Sequence, residues 1–494
     1  MDRMPFRASF VATCVTLTFP CFGTVATPSV SPNVLVILTD DQRWDELGVV
    51  QREQGNRARF PFLQTPHLDR LAAGGARFRN AFVVHSLCSP SRAAFLTGLY
   101  GHRNGVLDNR TPFAETNLTW AARLRDAGYT TAYFGKWHMG TQTNRPGFDH
   151  VASFLGQGVY ENCRFLVNGQ PTATTGYVDD VTTDFAIEFL RRHAARRFAA
   201  LVGFKAAHGP FEPPPRRARD YEHETPRLAP NFTSVPPYRR AVGPPTNAVR
   251  RPSGPAPATW LNHLRCVAGI DDNVGRLMNA LEELGLTDRT FVVFAGDNGF
   301  YLGEHGLGDK RTAYEESIRI PLLVRYPPSV PAGMRVDDMV LNVDLMPTIL
   351  DYVGLDALPG LHGRSWRPLL SGGRPDDWRR AWFYVYTEEH GFGAPFTTAV
   401  RTQTAKLIRY PGREEWTELY DLAADPYETR NLWNEPAAAE LRRALETEYE
   451  RQRAAVGFDV ALHMPRSSAS GDSPRSQSDR RRAGGARRPT GEQR

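Results

Sequence analysis

Val34-Leu35-Val36-Ile37-Leu38-Thr39-Asp40-Asp41-Gln42 is an unbroken aliphatic run that stops at two carboxylates. An apolar run with no polar alternation reads as a strand covered on both faces, the pattern of a parallel sheet held between helices. Thr131-Ala132-Tyr133-Phe134, Ala199-Ala200-Leu201-Val202-Gly203-Phe204 and Phe291-Val292-Val293-Phe294-Ala295 have the same character. Amphipathic segments lie between them. The clearest runs from about Ala258 to Leu284, with Leu261, Leu264, Val267, Ile270, Val274, Leu277, Leu281 and Leu284 at helical spacing. This alternation predicts an α/β fold built on a large, mostly parallel sheet sandwiched by helices.

Each run ends in polar, chemically capable residues: Thr39-Asp40-Asp41-Gln42, Gly135-Lys136-Trp137-His138, Lys205-Ala206-Ala207-His208 and Gly296-Asp297-Asn298-Gly299. Asp and Asn are common in turns, but ligands of open α/β sheets bind at the carboxyl ends of strands. Four clusters at matching places are therefore expected to converge. Asp40, Asp41, Asp297 and Asn298 offer only oxygen, which selects a hard divalent cation, Ca²⁺ or Mg²⁺. Without a cation the gathered carboxylates would repel and raise each other's pKa. Lys136, His138, His208 and Lys310 have the opposite character and suit a compact anion. A cation surrounded by cationic donors describes a site for a sulfate or phosphate ester. The last piece is Cys88-Ser89-Pro90-Ser91-Arg92, followed by Ala93-Ala94-Phe95-Leu96-Thr97-Gly98. Pro90 suits the first turn of a helix, so Cys88 falls at an N-terminus that favours anions. Its thiol is either a nucleophile or a buried structural group.

Length and composition set the frame. At about 150 residues per domain, 494 residues suggest about three domains, a prior that one large α/β domain can absorb. With 41% hydrophobic and 23% charged residues, disorder is excluded for the bulk of the chain. Beyond the first thirty residues no apolar run approaches the roughly 20 needed to span a bilayer. The net charge of +6 is terminal: residues 466–494 carry +5 and the first seven carry +1, which leaves the body neutral. With a neutral body, a nucleic-acid footprint would need a basic face on the body itself, and no nucleic-acid partner is expected. The Ser/Gly/Arg-rich tail reads as a solvated disordered segment. Deleting Ser467–Arg494 should therefore leave catalysis and thermal stability unchanged, and a large drop in Tm would show that it packs on the body.

Residues 1–26 have a basic start, an apolar stretch from Ala8 to Gly23 and a Thr24-Val25-Ala26 ending, the form of a secretory signal. Export is expected, to a periplasmic, secreted or lysosome-like location depending on the host. Cys88, Cys163 and Cys266 would remain, and a Cys163–Cys266 bridge would leave Cys88 alone. Thirteen of the 38 prolines fall between Pro210 and Pro257, so residues 209–258 read as an ordered excursion or flap beside the sheet. The catalytic domain is expected over 32–376. A composition shift near Arg374–Asp377 precedes strand-like Ala381–Tyr386, Thr397–Thr402, Lys406–Tyr410 and Glu418–Asp421, with a helix near Ala437–Ala454. These predict a small antiparallel C-terminal subdomain over 377–460.

Cys-x-Pro-x-Arg followed by Thr-Gly resembles the signature of the type I sulfatases, members of the alkaline-phosphatase superfamily. Asp40-Asp41, Gly135-Lys136-Trp137-His138, His208 and Gly296-Asp297-Asn298-Gly299 to Lys310 follow in that family's order. The resemblance covers about Pro32 to Leu432. It implies that a formylglycine-generating enzyme oxidises Cys88 to Cα-formylglycine, whose hydrated aldehyde is the nucleophile. It implies a cation, Ca²⁺ with Mg²⁺ as the alternative, held by Asp40, Asp41, Asp297, Asn298 and the modified Cys88. Arg92 would stabilise the hydrated aldehyde, and Lys136, His138, His208 and Lys310 would bind the sulfate and bridging oxygens. His208 or Lys310 would protonate the departing alcohol, and His138 would assist sulfate elimination.

Tyr314-Glu315-Glu316-Ser317-Ile318-Arg319-Ile320-Pro321 and Glu418-Leu419-Tyr420-Asp421 resemble the carbohydrate-acting branch, which includes glucosamine-6-sulfatases, iduronate-2-sulfatases and mucin-desulfating enzymes. The implied substrate is a sulfated carbohydrate, for example 6-O-sulfated N-acetylglucosamine. Glu315 and Glu316 are structural or substrate-facing, and His305 is a leaving-group contact or a loop histidine. Two rival readings stand beside this one: a phosphomonoester or phosphonate hydrolase, and an inactive sulfated-glycan binder whose Cys88 stays a thiol. Asn109-Arg110-Thr111, Asn117-Leu118-Thr119 and Asn231-Phe232-Thr233 are sequons in a host that glycosylates.

Overall fold

The aliphatic run at 34–38 lies inside strand β1 (Asn33–Thr39), every residue of which is buried. Val34, Val36 and Leu38 enter one apolar cluster, while Leu35 and Ile37 enter another on the opposite face. Neither face meets water, which is why the run shows no polar alternation. The computed structural model describes residue 1 and residues 31–464 apart from 142, 242–256 and 390. A leading unit, Met1–Ser31, is separate from the body that begins at Pro32, and the fold described is that of the body. The expected signal segment beyond Met1, the tail at 466–494 and residues 242–256 of the proline-rich stretch lie outside the described residues.

The main sheet continues with β2 (Ala76–Phe82), β3 (Thr130–Lys136), β4 (His150–Phe154), β5 (Phe165–Val167), β6 (Gln170–Thr172), β7 (Phe198–Gly203), β8 (Thr290–Gly296), β9 (Arg319–Ile320), β10 (Leu322–Arg325) and β11 (Met334–Leu341). Their order is β11-β2-β10-β8-β1-β7-β3-β4-β5-β6, with β9 on β2. The four runs read from sequence are the adjacent central strands β8, β1, β7 and β3, all parallel. Antiparallel pairing appears where β10 meets β8 and β2, and along the β4-β5-β6 edge.

Helices cover both faces. Phe95 and Leu96 of the helix Cys88–Thr97 pack on one side with Leu345, Ile349 and Leu350 of the helix Leu345–Val353. On the other side Val267, Ile270, Val274, Leu277 and Leu281 of the long helix Pro257–Glu283 pack with Ile187 and Leu190 of the helix Val178–His193. Among the described residues no helix is long and apolar enough to cross a membrane.

A second, four-stranded antiparallel sheet follows: β12 (Ala381–Tyr386), β13 (Thr397–Thr402), β14 (Ala405–Arg409) and β15 (Glu418–Asp421). One face carries Phe383, Val400, Leu407 and Leu419 against Leu445 and Tyr449 of the helix Ala439–Ala455. The other turns Trp382, Tyr384, Tyr386 and Ile408 toward Phe82, Val84 and Tyr314 of the body, and Val385 N donates to Val84 O at 3.0 Å. This docking brings the small sheet beside the segment that leads into Cys88.

Cys163 and Cys266 form no bridge: Cys88, Cys163 and Cys266 are all free and buried. Cys266 lies against the Tyr177 and Tyr160 hydroxyls, and Cys163 Sγ turns to the Arg164 carbonyl at 3.9 Å. Each thiol is accommodated separately within one apolar cluster. The described part of the proline-rich excursion is ordered by aromatic anchors. Phe211 meets His263 and Phe300 edge-on, Phe232 meets Trp260, and Tyr238 packs on Tyr410 and Trp416 of the small sheet.

Candidate active site

Strands β1 and β8 pair in register from Asn33↔Thr290 to Thr39↔Gly296, so the residues that follow them emerge side by side. Those residues are Asp40 and Asp297. Asp297 N donates to Thr39 O at 2.9 Å and Asp40 N to Ala206 O at 2.9 Å, tying three strand ends together. Lys136 is the last residue of β3, two strands from β1 through β7. The carboxyl edge of the parallel sheet thus gathers the clusters that the sequence placed there. Asp41 and His138 adopt left-handed backbone, φ +58° and +60°. For non-glycine residues that costs about 1–3 kcal/mol each, a strain that concentrates at functional sites.

One ligand oxygen each from Asp40, Asp41 and Asp297 lies within 4.8 Å of the others, and all three residues are buried. Asn298 Nδ2 donates to Asp41 Oδ1 at 2.7 Å and to Gly299 O at 2.8 Å. Its Oδ1 is buried without a hydrogen-bond partner. Three converging carboxylates and a free amide carbonyl fit a hard divalent cation.

Cys88 opens the helix Cys88–Thr97, with Ser89 N bound to Asn109 Oδ1 at 3.0 Å. Its Sγ lies 3.4 Å from Asp40 Oδ1 and 3.1 Å from Lys310 Nζ. Burial and the Asp40 charge push the thiol up to about 12 against the pull of Lys310 and Lys136.

Arg92, one helical turn on from Cys88, spans the strand ends. Its Nε donates to Asp297 at 2.8 Å, one terminal nitrogen to Asp40 at 3.2 Å and the other to the Lys136 carbonyl at 2.8 Å. It thus holds the carboxylates, a task not read from the sequence. Lys136 Nζ contacts Asp40 Oδ2 and Gln157 Oε1. Lys310 Nζ contacts Asp41 Oδ1 and lies 4.0 Å from Asp40 Oδ1.

Burial alone would raise Asp40, but Lys136, His208, Arg92 and Lys310 together hold it well below the usual carboxylate range. Burial and the Asp40 charge push Asp297 up to about 6. His208 Nδ1 donates to Gly209 O at 2.7 Å, leaving Nε2 4.0 Å from Asp41 Oδ2. Burial, Lys136 and Lys310 push its pKa down to about 4. His138 is pushed down to about 2 by burial and Lys136, and Ser89 Oγ donates to its carbonyl.

His305 takes a different position. Its ring is buried and stacks on Tyr314 at 3.9 Å between centroids, with Nε2 3.0 Å from Asn231 Nδ2 and 3.8 Å from Glu316. No described hydrogen bond joins it to the Cys88 cluster. Glu315 pairs with Lys406 at 2.9 Å and Arg401 at 3.2 Å, which fastens this segment to the small sheet. Asn231 is fully buried, and its amide donates to Glu316 at 2.8 Å as well as facing His305. Gln157 was not singled out from the sequence, Asn109 and Asn231 were noted only as sequons, and Ser89 only as part of the Cys88 motif. Their partners are distant in sequence, so only the fold reveals them.

A sequence model described as "Sulfatase" matches residues 32–355, and one described as "N-sulphoglucosamine sulphohydrolase, C-terminal" matches residues 303–455. The chain is 33% identical to an N-acetylglucosamine-6-O-sulfatase of Bacteroides thetaiotaomicron, over 84% of this chain and 85% of that one. It is 27% identical to N-acetylglucosamine-6-sulfatase of Homo sapiens, over 83% of each chain. A solved structure of a protein in complex with its substrate D-glucosamine-2-N,6-O-disulfate superposes with a TM-score of 0.77 at 30% identity, covering 86% of this chain and 98% of that one.

Proposed function

Because the chain belongs to the sulfatase family, we propose that it hydrolyses sulfate monoesters of a sulfated carbohydrate, with 6-O-sulfated N-acetylglucosamine the first candidate, using a formylglycine made from Cys88. The observation that carries this reading is the meeting of Cys88 Sγ with Asp40 at 3.4 Å and Lys310 at 3.1 Å. That places one reactive side chain between the carboxylate group and the cationic donors. As formylglycine it would supply a hydrated aldehyde, able to attack sulfur and later release sulfate by re-forming the aldehyde.

Asp40, Asp41, Asp297 and the Asn298 carbonyl would hold the cation, with Ca²⁺ favoured and Mg²⁺ the alternative, and the cation would polarise the sulfate and the nucleophile. Arg92 keeps Asp40 and Asp297 in place. Lys136 and Lys310 supply a fixed positive field around the transferring group that needs no reorganisation as charge develops, and His138 and His208 add neutral ring nitrogens beside it. Of the two candidate proton donors, Lys310 is favoured. Its Nζ stands 3.1 Å from Cys88 Sγ, beside the group that would receive the sulfate. His208, with Nδ1 bound to a carbonyl, presents Nε2 as a hydrogen-bonding partner. We place the mature protein, beginning after Ala26, outside the cytoplasm.

Lys310→Ala is expected to lower kcat/KM on a sugar sulfate by about 10²–10⁴ and much less on an aryl sulfate, whose phenolate leaves without a proton. His208→Ala should show a smaller contrast between the two substrates. Equal losses on both substrates for Lys310→Ala would remove it as the proton donor.

The overall reading is tested by measuring sulfate release across sulfated monosaccharides beside phosphate release from an aryl phosphate. A sugar sulfate should be preferred. Preference for the phosphate ester would favour the phosphohydrolase reading. No turnover by a preparation carrying the converted Cys88 would favour the binder.

A further inference from the structure

Phe392 stands out as the one phenylalanine, tyrosine or tryptophan among the described residues that is half exposed, at 50%. It lies on the connection between β12 and β13, between Gly391 (φ +96°) and Gly393 (φ +70°). These are left-handed conformations that glycine adopts freely. No atom lies within 4 Å of where either glycine's Cβ would stand. The ring is therefore mounted on a projecting turn and not packed into the sheet.

Its mounting is specific. The Arg311 guanidinium carbon lies 3.5 Å from the ring centroid. Arg311 is itself fixed by Asp309 at 2.7 Å and by Glu389 at 2.6 and 2.9 Å. A cation held on one face of an aromatic ring fixes its orientation. Lys310, the residue before Arg311, reaches Cys88 Sγ at 3.1 Å. The ring thus has one face clamped, stands in solvent, and is held by the residue that follows the candidate proton donor.

We propose that Phe392 is the platform for the pyranose ring that carries the sulfate. The inference rests on the sulfatase reading above and adds the part of the substrate that is not transferred. A pyranose presents a face of C–H groups polarised by ring and hydroxyl oxygens, and the electron-rich face of an aromatic ring is complementary to it. With the sulfate held at Cys88, the leaving-group sugar extends toward Lys310, and Phe392 covers its apolar face. The half-exposed aromatic ring is then explained by the ligand that covers it.

The test compares wild type, Phe392→Ala and Phe392→Trp on 6-O-sulfated N-acetylglucosamine, or on the sulfated monosaccharide that the substrate screen selects in its place. Inorganic sulfate serves as a competitive inhibitor. Phe392→Ala should raise KM by about tenfold, the scale of one lost aromatic contact, with kcat little changed. The inhibition constant for inorganic sulfate should stay at its wild-type value, because that ion does not reach the ring. Phe392→Trp should return KM to near wild type. A KM for Phe392→Ala within twofold of wild type would overturn the platform, and so would an equal weakening of inorganic sulfate. Absence of sulfate release by wild-type protein from every sulfated sugar would instead count against the sulfatase reading, so the two failures are distinct.

Discussion

Cys88→Ala is expected to abolish sulfate-ester turnover, by about five to six orders of magnitude if this side chain is the covalent nucleophile. The fold should survive, since an alanine at the start of the helix Cys88–Thr97 keeps the backbone and removes only a thiol with weak hydrogen-bonding capacity. In active wild-type protein the Cys88 peptide should have the mass of formylglycine or its hydrate, and the protein should react with carbonyl probes. Cys88→Ser should be inactive in a host that does not oxidise serine, because an alkoxide cannot shed sulfate through an aldehyde. Thiol alkylation should not inactivate converted protein. If a homogeneous preparation turns over sulfate esters repeatedly while every Cys88 is a free thiol, the formylglycine reading is wrong and only the fold inference stands.

The second large effect concerns the carboxylates. Asp40→Asn and Asp297→Asn should each reduce bound divalent cation well below one per chain by elemental analysis and take activity with it. Asparagine is the informative replacement. Both carboxylates pair with the buried Arg92, at 3.2 and 2.8 Å. Alanine, unlike asparagine, would also leave one guanidinium N–H without its acceptor, at a cost of about 1–3 kcal/mol. The Asp→Ala variants should therefore show a lowered Tm in addition to lost activity, which separates the structural role of Arg92 from cation binding. Exhaustive chelation of wild type should mimic the Asp→Asn loss, and re-addition of Ca²⁺ or Mg²⁺ should restore it. Full activity in protein shown to be cation-free would refute the assignment.

Much of this architecture was legible because the central strands have no choice of neighbour. Runs at 34–38, 131–134, 199–204 and 291–295 are apolar on both faces, and they form the contiguous block β8-β1-β7-β3. The strands outside that block were harder. Strand β2 (Ala76–Phe82) carries Arg77, Arg79 and Asn80, and β10 (Leu322–Arg325) has four residues, so neither shows the continuous apolar signature. The small sheet was legible because β12 to β15 are consecutive hairpin partners.

At the site, residues anchored to strand ends and to the Cys88 motif could be named in advance. What could not be named was which hydrogen bonds each would make. Arg92 turned out to hold the carboxylates. His305 turned out to face Glu316 and, from a distant part of the chain, Asn231. Such partners are set by tertiary packing, which leaves no local periodicity to read.

The burial of Asn231 bears on where this protein can be made. A glycan attached to Asn231 would occupy the amide nitrogen that donates to Glu316 at 2.8 Å and faces His305. It would also have to pass through a residue with no exposed surface. Modification of the Asn231-Phe232-Thr233 sequon and the native fold are mutually exclusive. In a cell whose secretory machinery attaches oligosaccharides to the chain before it folds, each decorated copy is diverted to quality control and lost from the yield. Thr233 is exposed, so its replacement by alanine deletes the sequon while leaving Asn231 intact. A eukaryotic producer strain would recover the diverted fraction by that change alone.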